Sequence, residues 1–470
     1  MERKKLGLFV LFVSIVASSI WASDWWITTV DTTHNSGIYG TSIALDSLGI
    51  PHLAYCRYNA GGLVYASFNS LDSTWSYEVV FDSAGGKIAG TAPSLALDSK
   101  GYPHISFWWG DLGYAWKDST GWHTIHPYTE RWIEYTSLKL DKNDYPHIGH
   151  TGVIHWTPDT SVVLYTYWDG KGWHTETVDT VVYSDVSLAL DSDDCPYIAY
   201  ANRGSRGIRC AKRKNGVWHI EIVDTLDTTD CYCDWFSIAI NNLCYPCIAY
   251  SCYGEERQDL RYAVRVDTGW RIEIVDTMGC AGSETCLWLD VENIPHISYV
   301  SDWSWLKYAW RDGDDRWYID EIDSVGTAEW GRYWGYTGLA LDKDEYAHIS
   351  YYNHIEGCIM KYARGYPTGI EERLKFKSQN SKAKLKLSPN PVRKNVEIRY
   401  NLEKESLIDM SIYNVLGQRV ITLADGKQSS GAHTVCWALN DSDGKKVKNG
   451  IYFCCFRNSA YLVVKVIVVK

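Results

Sequence analysis

Five histidines recur at one place in a repeated phrase: His52, His104, His147, His296 and His348. Each follows an acidic anchor, respectively Asp46, Asp98, Asp141, Asp290 and Asp342. Imidazole beside carboxylate is a pairing used for proton transfer and for metal binding. The regularity points elsewhere, because the same position holds Tyr197 and Cys247 in two further copies. A side chain that returns in every repeat serves each repeat alike, here by bonding the turn that carries the anchor aspartate, and function is sought where the repeat is broken. The acidic turns (Asp141, Asn143, Asp144; Asp191, Asp193, Asp194; Asp342, Asp344, Glu345) have the oxygen donors that calcium takes, but hairpin turns favour Asp and Asn for backbone reasons and no complete binding loop is present. Nine of the 14 cysteines lie between Cys195 and Cys286. Cys231 with Cys233, and Cys244 with Cys247, have the close spacing of a zinc site; in an exported chain disulfides or free thiols are the simpler reading, with the two pairs close together. No G-x-S-x-G elbow, phosphate loop or HExxH occurs. No catalytic residue, metal or cofactor is therefore assigned.

The residues that break the repeat are aromatic. Trp108 and Trp109, Trp132, Trp235, Trp303 and Trp305, and Trp330 and Trp334 fall in the variable segments, beside Glu130, Arg131, Asp302, Glu329 and Arg332. Large rigid rings with hydrogen-bonding neighbours hold sugar faces or peptide chains at low entropic cost. The ligand-binding candidates are Trp109, Trp132, Trp235, Trp303, Trp330, Trp334, Arg332 and Glu329, for a glycan or an extracellular protein. The alternatives are a glycoside hydrolase or polysaccharide lyase using Glu130, Glu134 or Glu329, and a structural surface protein whose tryptophans are all packed. Hydrolysis requires two carboxylates at a suitable separation.

These side chains must be placed by a repeat. Thr41–Tyr55 (TSIALDSLGIPHLAY), Pro93–Phe107 (PSLALDSKGYPHISF) and Val186–Tyr200 (VSLALDSDDCPYIAY) are copies of one phrase, with looser copies at Thr136–His150, Phe236–Tyr250, Cys286–Tyr299 and Thr337–Tyr351. The anchors Asp46, Asp98, Asp141, Asp191, Asn241, Asp290 and Asp342 are spaced by 52, 43, 50, 50, 49 and 52 residues. Each copy reads as an apolar strand, a polar turn, an alternating strand, a third strand such as LKYAWR, and a fourth that opens on Trp, such as VWHIEIVDT. Four short antiparallel strands at this period predict an all-β fold, a seven-bladed β-propeller. The Trp-led strand occurs at Trp26, Trp75, Trp122, Trp173, Trp218, Trp270 and Trp317. Its first copy precedes the first anchor phrase and the last phrase lacks one, so the strand 26–32 is expected to complete the blade that ends near Tyr362.

The ends of the chain set its destination. Arg3, Lys4 and Lys5 precede an apolar run from Leu6 to Val16 and small residues to Ala22, the form of a secretory signal over 1–22 and too short for a membrane span. No transmembrane segment is expected in the mature chain. The propeller is assigned to 23–365, a polar Lys-rich linker to 366–384 and a second β-unit, an Ig-like sandwich, to 385–470. Residues 371–470 carry a net charge of +9 while the whole chain carries −11, so the body is acidic and a nucleic-acid partner is not expected.

Leu387–Pro391 (LSPNP), Tyr413–Val420 (YNVLGQRV), Asn449–Phe453 (NGIYF) and the apolar tail Tyr461–Lys470 resemble, in that order, the C-terminal sorting domain of the bacterial type IX secretion system. The resemblance implies recognition by the type IX machinery, passage across the outer membrane, removal of this domain, and release or attachment at the cell surface. The repeats over about 25–365 resemble the broad sialidase-like, or BNR-type, propeller class. The sialidase Asp-box S-x-D-x-G-x-x-W is not reproduced, so no glycosidase mechanism is carried over.

Overall fold

The computed structural model describes residues 25–33, 35–57, 62–70, 72–82, 90–156, 159–182, 185–202, 207–225, 232–253, 258–302, 304–312, 315–326, 337–365, 386–402, 405–414, 419–442, 444–457 and 461–469. The chain divides near residue 368 into two compact units. Among the described residues of the first unit there are seven four-stranded antiparallel sheets, one per repeat. Blade 1 is Ser36–Leu45, Pro51–Arg57, Gly62–Asn69 and Thr74–Phe81, in sequence order from the inside outwards. Blades 2 to 6 repeat this order over 91–128, 133–181, 186–225, 232–276 and 281–324. Blade 7 takes Thr337–Leu341, Ala347–Asn353 and Ile359–Gly365 from one end of the propeller and its outermost strand, Trp26–Asp31, from the other. Trp26 pairs with Arg364 and Thr28 with Tyr362, which closes the ring as the strand count requires. Each first strand packs on the first strand of the next blade, and the seventh on the first, so these strands surround a central channel.

The strand grammar has a local cause. In each repeat the anchor carboxylate, or the Asn241 amide oxygen, accepts backbone N–H groups from two and four residues ahead, as when Asp98 Oδ1 accepts from Lys100 (2.9 Å) and Tyr102 (2.7 Å). This side-chain mimic of a backbone turn fixes the hairpin between first and second strands. The apolar residues of the first strands, such as Leu138, Leu188 and Leu287, point into the seams between blades and are buried.

A serine on the first strand of blades 1 to 4 closes the seam to the next blade. Ser42 Oγ accepts the backbone N–H of Leu95 (3.0 Å), Ser94 that of Leu138 (2.9 Å), Ser137 that of Leu188 (2.9 Å) and Ser187 that of Ile238 (3.2 Å). The free inner edge of blades 2 to 5 thus has a partner in the preceding blade. Blade 7 carries Gly338 at this position because a Cβ there would lie 2.7 Å from Ser350 Oγ and 3.1 Å from Ile43 N.

In the second unit, the described residues form a three-stranded sheet (Lys386–Ser388, Val396–Leu402, Gly431–Trp437) and a four-stranded one (Arg419–Gln428, Ser406–Asn414, Gly450–Arg457, Tyr461–Val468) around one core that includes Val396, Ile398, Met410, Ile412, Trp437 and Phe456. This is a small β-sandwich. The LSPNP segment is tied to the last strand: Asn390 Oδ1 accepts the Ile467 N–H (2.8 Å), and Val392 N–H donates to Ile467 O (2.7 Å). The linker assigned to 366–384 lies outside the described residues.

Candidate functional site

The recurring histidines are built into three-residue networks within their own blades. His52 Nδ1 meets the Tyr65 hydroxyl at 2.5 Å, His104 that of Tyr114 at 2.5 Å, His296 that of Tyr308 at 2.5 Å and His348 that of Tyr362 at 2.6 Å; His147 meets Tyr165. The other ring nitrogen faces the anchor carboxylate, from 3.2 Å in His348–Asp342 to 3.8 Å in His104–Asp98. Burial lowers the pKa of His52, His104, His147 and His348, and the adjacent carboxylate opposes the shift. A neutral ring that accepts the tyrosine O–H at Nδ1 and turns Nε2–H to the carboxylate fits both neighbours. Blade 4 keeps the network with other residues: Tyr197 stands for His, Cys210 for Tyr, and Lys212 bonds Tyr197 and lies 3.5 Å from Asp191.

A second motif joins neighbouring blades at the opposite, upper face, where second strands lead to third and outer strands to the next blade. Asp31 accepts the Tyr55 hydroxyl (2.8 Å) and Arg57 (2.6 Å). Asp179 does so with Tyr200 and Arg209, Asp224 with Tyr250 and Arg261, Asp276 with Tyr299 and Lys307, and Asp323 with Tyr351 and Lys361. At the remaining two seams the tyrosine position holds Phe107 and His150. Both seams flank blade 2.

Aromatic residues take over there. Phe81 packs on Phe107 (ring centroids 5.9 Å apart) and on Trp109 (4.0 Å), and Trp109 packs on His126 (4.6 Å). Tyr128 packs on His150 (5.2 Å), a ring so fully buried that its pKa is pushed down to about 3. Gly113 makes room for Phe107, whose ring would lie 2.6 Å from a Cβ at that position. The second and third strands of blade 2, Pro103–Trp109 and Asp111–Asp118, are joined through Gly110 alone. Trp132 lies beside this turn, 5.0 Å edge-to-face from Trp108, and is 46% exposed. Polar groups border the rings: His126 Nδ1 meets Asp111 Oδ1 at 2.7 Å, and Arg131 acts on the Tyr128 hydroxyl, whose pKa burial nevertheless raises. The surface thus offers an exposed indole, two half-buried ones, a carboxylate, an imidazole and a guanidinium.

Of the residues expected from sequence, this group contains Trp109 and Trp132. Trp235 is only 6% exposed; it stands in the left-handed region (φ 46°) at an irregularity of the first strand of blade 5, and its N–H donates to Asp185 Oδ2 at 3.2 Å. Trp303, Glu329, Trp330, Arg332 and Trp334 lie outside the described residues. Glu130 is exposed and Glu134 half-buried. Phe81, His126 and Asp111 were missed by sequence reading. The signal for them was the broken Tyr position at Phe107 and His150, visible three residues after His104 and His147.

Among the described residues the cysteines are free thiols, one of the two forms expected, but the expected nearness of the two close-spaced pairs needs correction. Cys195, Cys210, Cys244, Cys247, Cys252, Cys280 and Cys286 are free thiols. Cys233 pairs in register with Cys252, at the far end of the strand Tyr232–Ile240 from the turn with Cys244. That separation is about 25 Å along the strand, so Cys233 and Cys244 are not neighbours. Cys231 lies outside the described residues.

Comparison with known proteins agrees with this architecture. Residues 386–470 match the model of the secretion system C-terminal sorting domain. Curated proteins give no match. Among solved structures, a polysaccharide lyase described as an ulvan lyase aligns with TM-score 0.51 and 14% identity over 71% of this chain and 95% of its own. An α-L-arabinanase of Penicillium chrysogenum complexed with arabinobiose gives 0.44 and 11% over 72% and 97%. An Aleuria aurantia lectin in complex with Fucalpha1-6GlcNAc gives 0.43 and 11% over 64% and 100%. Identities this low speak to the fold alone. The protein is a seven-bladed β-propeller that carries a type IX secretion sorting domain, which directs it to the cell surface or the extracellular space.

Proposed function

We propose that the propeller is a binding protein that holds a glycan on the aromatic surface of blade 2. The observation that supports this most is the replacement of the Asp–Tyr–cation network at the two seams of this blade, and at no other described seam, by rings that end in the exposed Trp132. A sugar offers apolar C–H faces to an indole and hydroxyls to Asp111, His126 and Arg131, which is the mixture present. The test measures retention of the full exported chain on a panel of plant, algal and bacterial polysaccharides, together with any new reducing ends. Trp132→Ala is expected to weaken retention about tenfold, the effect of about 1.4 kcal/mol, with an unchanged melting temperature. Trp305→Ala on blade 6, at a ring of similar exposure (42%), is expected to leave it unchanged. Loss of retention in neither variant would sink the assignment of the site. New reducing ends would replace the binding reading with the enzymatic one and direct attention to Glu130 and Glu134.

A further inference from the structure

The outer strand of each blade ends its sheet, so its outer edge has no strand beside it among the described residues. Natural proteins blunt such edges with Lys, Pro or a bulge. The outer strand of blade 4, Val217–Thr225, has neither Lys nor Pro. It pairs with the third strand without interruption from Val217 with Lys214 to Ile222 with Arg209, and the register shifts only beyond Ile222. This open stretch is apolar: Val217 is 57% exposed, Ile220 40% and Ile222 60%.

The residues around the second position after the leading Trp decide what such an edge can pair with. Blade 4 has His219, Ile220 and Glu221 there, and blade 5 has Arg271, Ile272 and Glu273. Each is a basic group, an isoleucine and a carboxylate. Blade 3 centres on the polar Thr175, blade 1 has Ser76 in place of the basic group, and blades 2, 6 and 7 lack the basic group or the carboxylate. When two strands pair antiparallel about a central residue, the residue before it in one lies opposite the residue after it in the other. The order base, isoleucine, acid is therefore complementary to itself. In blade 5 the two charged groups already meet, Arg271 lying 3.1 Å from Glu273, which also takes Arg311 at 2.8 Å. In blade 4, Glu221 holds Arg265 (2.8 Å) and Trp270 (3.1 Å) of the next blade, both through Oε2, and His219 is exposed beside it.

We propose that two copies of the chain join along the outer edge of blade 4, Val217–Ile222 of one running antiparallel to the same strand of the other about Ile220. Ile220 then faces Ile220, Trp218 faces Ile222, and His219 faces Glu221. The two-fold symmetry makes each of the unlike pairs twice, and the two four-stranded sheets become one. The edge lies on blade 4, away from the aromatic surface of blade 2, and the proposal does not depend on the glycan reading.

Sedimentation velocity of the full exported chain from about 1 to about 100 μM is expected to show a monomer passing into a dimer. Ile220→Lys, which sets two ammonium groups against each other at the two-fold axis, is expected to weaken the dimer at least about tenfold with an unchanged melting temperature. Ile272→Lys on blade 5 is expected to leave it unchanged. His219→Arg, which gives blade 4 a permanent cation opposite Glu221, is expected to tighten the dimer about threefold. The register has its own readout: residues opposite each other have Cβ atoms about 5 Å apart, so mild oxidation of Ile220→Cys is expected to yield a 220–220 disulfide between copies, seen by peptide mass mapping, and Ile272→Cys none between its own residues. A chain that stays monomeric over this range overturns the proposal and leaves the edge to a strand of another protein. A dimer untouched by Ile220→Lys, or one without the 220–220 link, overturns it as well. Should Ile220→Lys fail to fold, the disulfide decides. Trp132→Ala is expected to leave the dimer unchanged, so failure here and failure of the glycan site are read separately.

Discussion

At the scale of the residue, the recurring Asp–His–Tyr networks are structural, and their chemistry makes stability depend on pH. The folded-state pKa of His52, His104, His147 and His348 lies below the value of a free imidazole, because burial disfavours the charged ring more than the carboxylate favours it. A group lowered on folding contributes stability above its unfolded pKa and loses it as the pH falls through the folded one. The propeller is therefore expected to melt at a lower temperature at about pH 5 than at about pH 7.5. Tyr114→Phe with His104→Leu, which removes one network and keeps its bulk, is expected to make that slope shallower. Scanning calorimetry of both proteins across this range checks it, and an unchanged slope would remove His104 from the account. The blade 4 variant with Tyr197 and Lys212 shows that the position demands a hydrogen-bonded filling, not a histidine.

At the scale of the element, each blade is held to its neighbour by a few polar contacts set in a regular order. Glu78 accepts Trp122 Nε1 (2.9 Å) and Lys117 (2.7 Å) from the next blade; Glu176 does so with Trp218 and Arg213, Glu221 with Trp270 and Arg265, and Glu273 with Trp317 and Arg311. The three seams without such a contact among the described residues have a hydroxyl pair instead: Ser106 with Thr136, Ser298 with Thr337, and Thr41 with Ser350. The leading Trp of each outer strand is thus a seam residue more than a ligand platform. The serine girdle around the channel acts at every seam it spans. Ser94→Ala leaves the Leu138 N–H without its acceptor and is expected to cost about 1 kcal/mol, about 2 °C in melting temperature for a unit of this size. The exposed Ser76→Ala provides the comparison and is expected to change the melting temperature by less than half as much. Equal losses in the two variants would remove the girdle from the list of stabilising contacts.

At the scale of the whole molecule, the ring is closed by the six residues Trp26–Asp31. Trp26–Asp31 supplies the outer strand of blade 7, and Asp31 reaches blade 1 through Tyr55 and the buried Arg57. Removal of residues up to 32 exposes a strand edge and leaves Arg57 buried without its carboxylate, a change in the class that costs about 3–5 kcal/mol. Such a chain is expected to aggregate or to melt well below the intact one, while Arg57→Met with Asp31→Asn, which removes both charges, is expected to fold. Size-exclusion chromatography with thermal melting distinguishes them. A truncated chain as stable as the intact one would mean that closure does not depend on this strand.

The sequence alone carried the blade count, the strand order, the closure by the first strand and the sorting domain, because each rests on local pattern. Alternation, turn chemistry and periodicity are properties of residues near one another in the chain, and seven copies at about 50 residues repeat the signal. What remained hidden was contact between blades. Ser94 meeting Leu138, Glu78 meeting Trp122 and Asp179 meeting Tyr200 are separated by 44, 44 and 21 residues, and nothing at either position announces the partner. The candidate site was half legible for the same reason. Trp109 and Trp132 stand out as breaks in the repeat, whereas His126 meets Trp109 only through the sheet of blade 2, and Phe81 only when the ring brings blades 1 and 2 together. Trp235 breaks the repeat just as visibly, yet it is buried. Whether an irregular tryptophan faces solvent or core is decided by how the blades pack around it, and that is a property of tertiary structure alone.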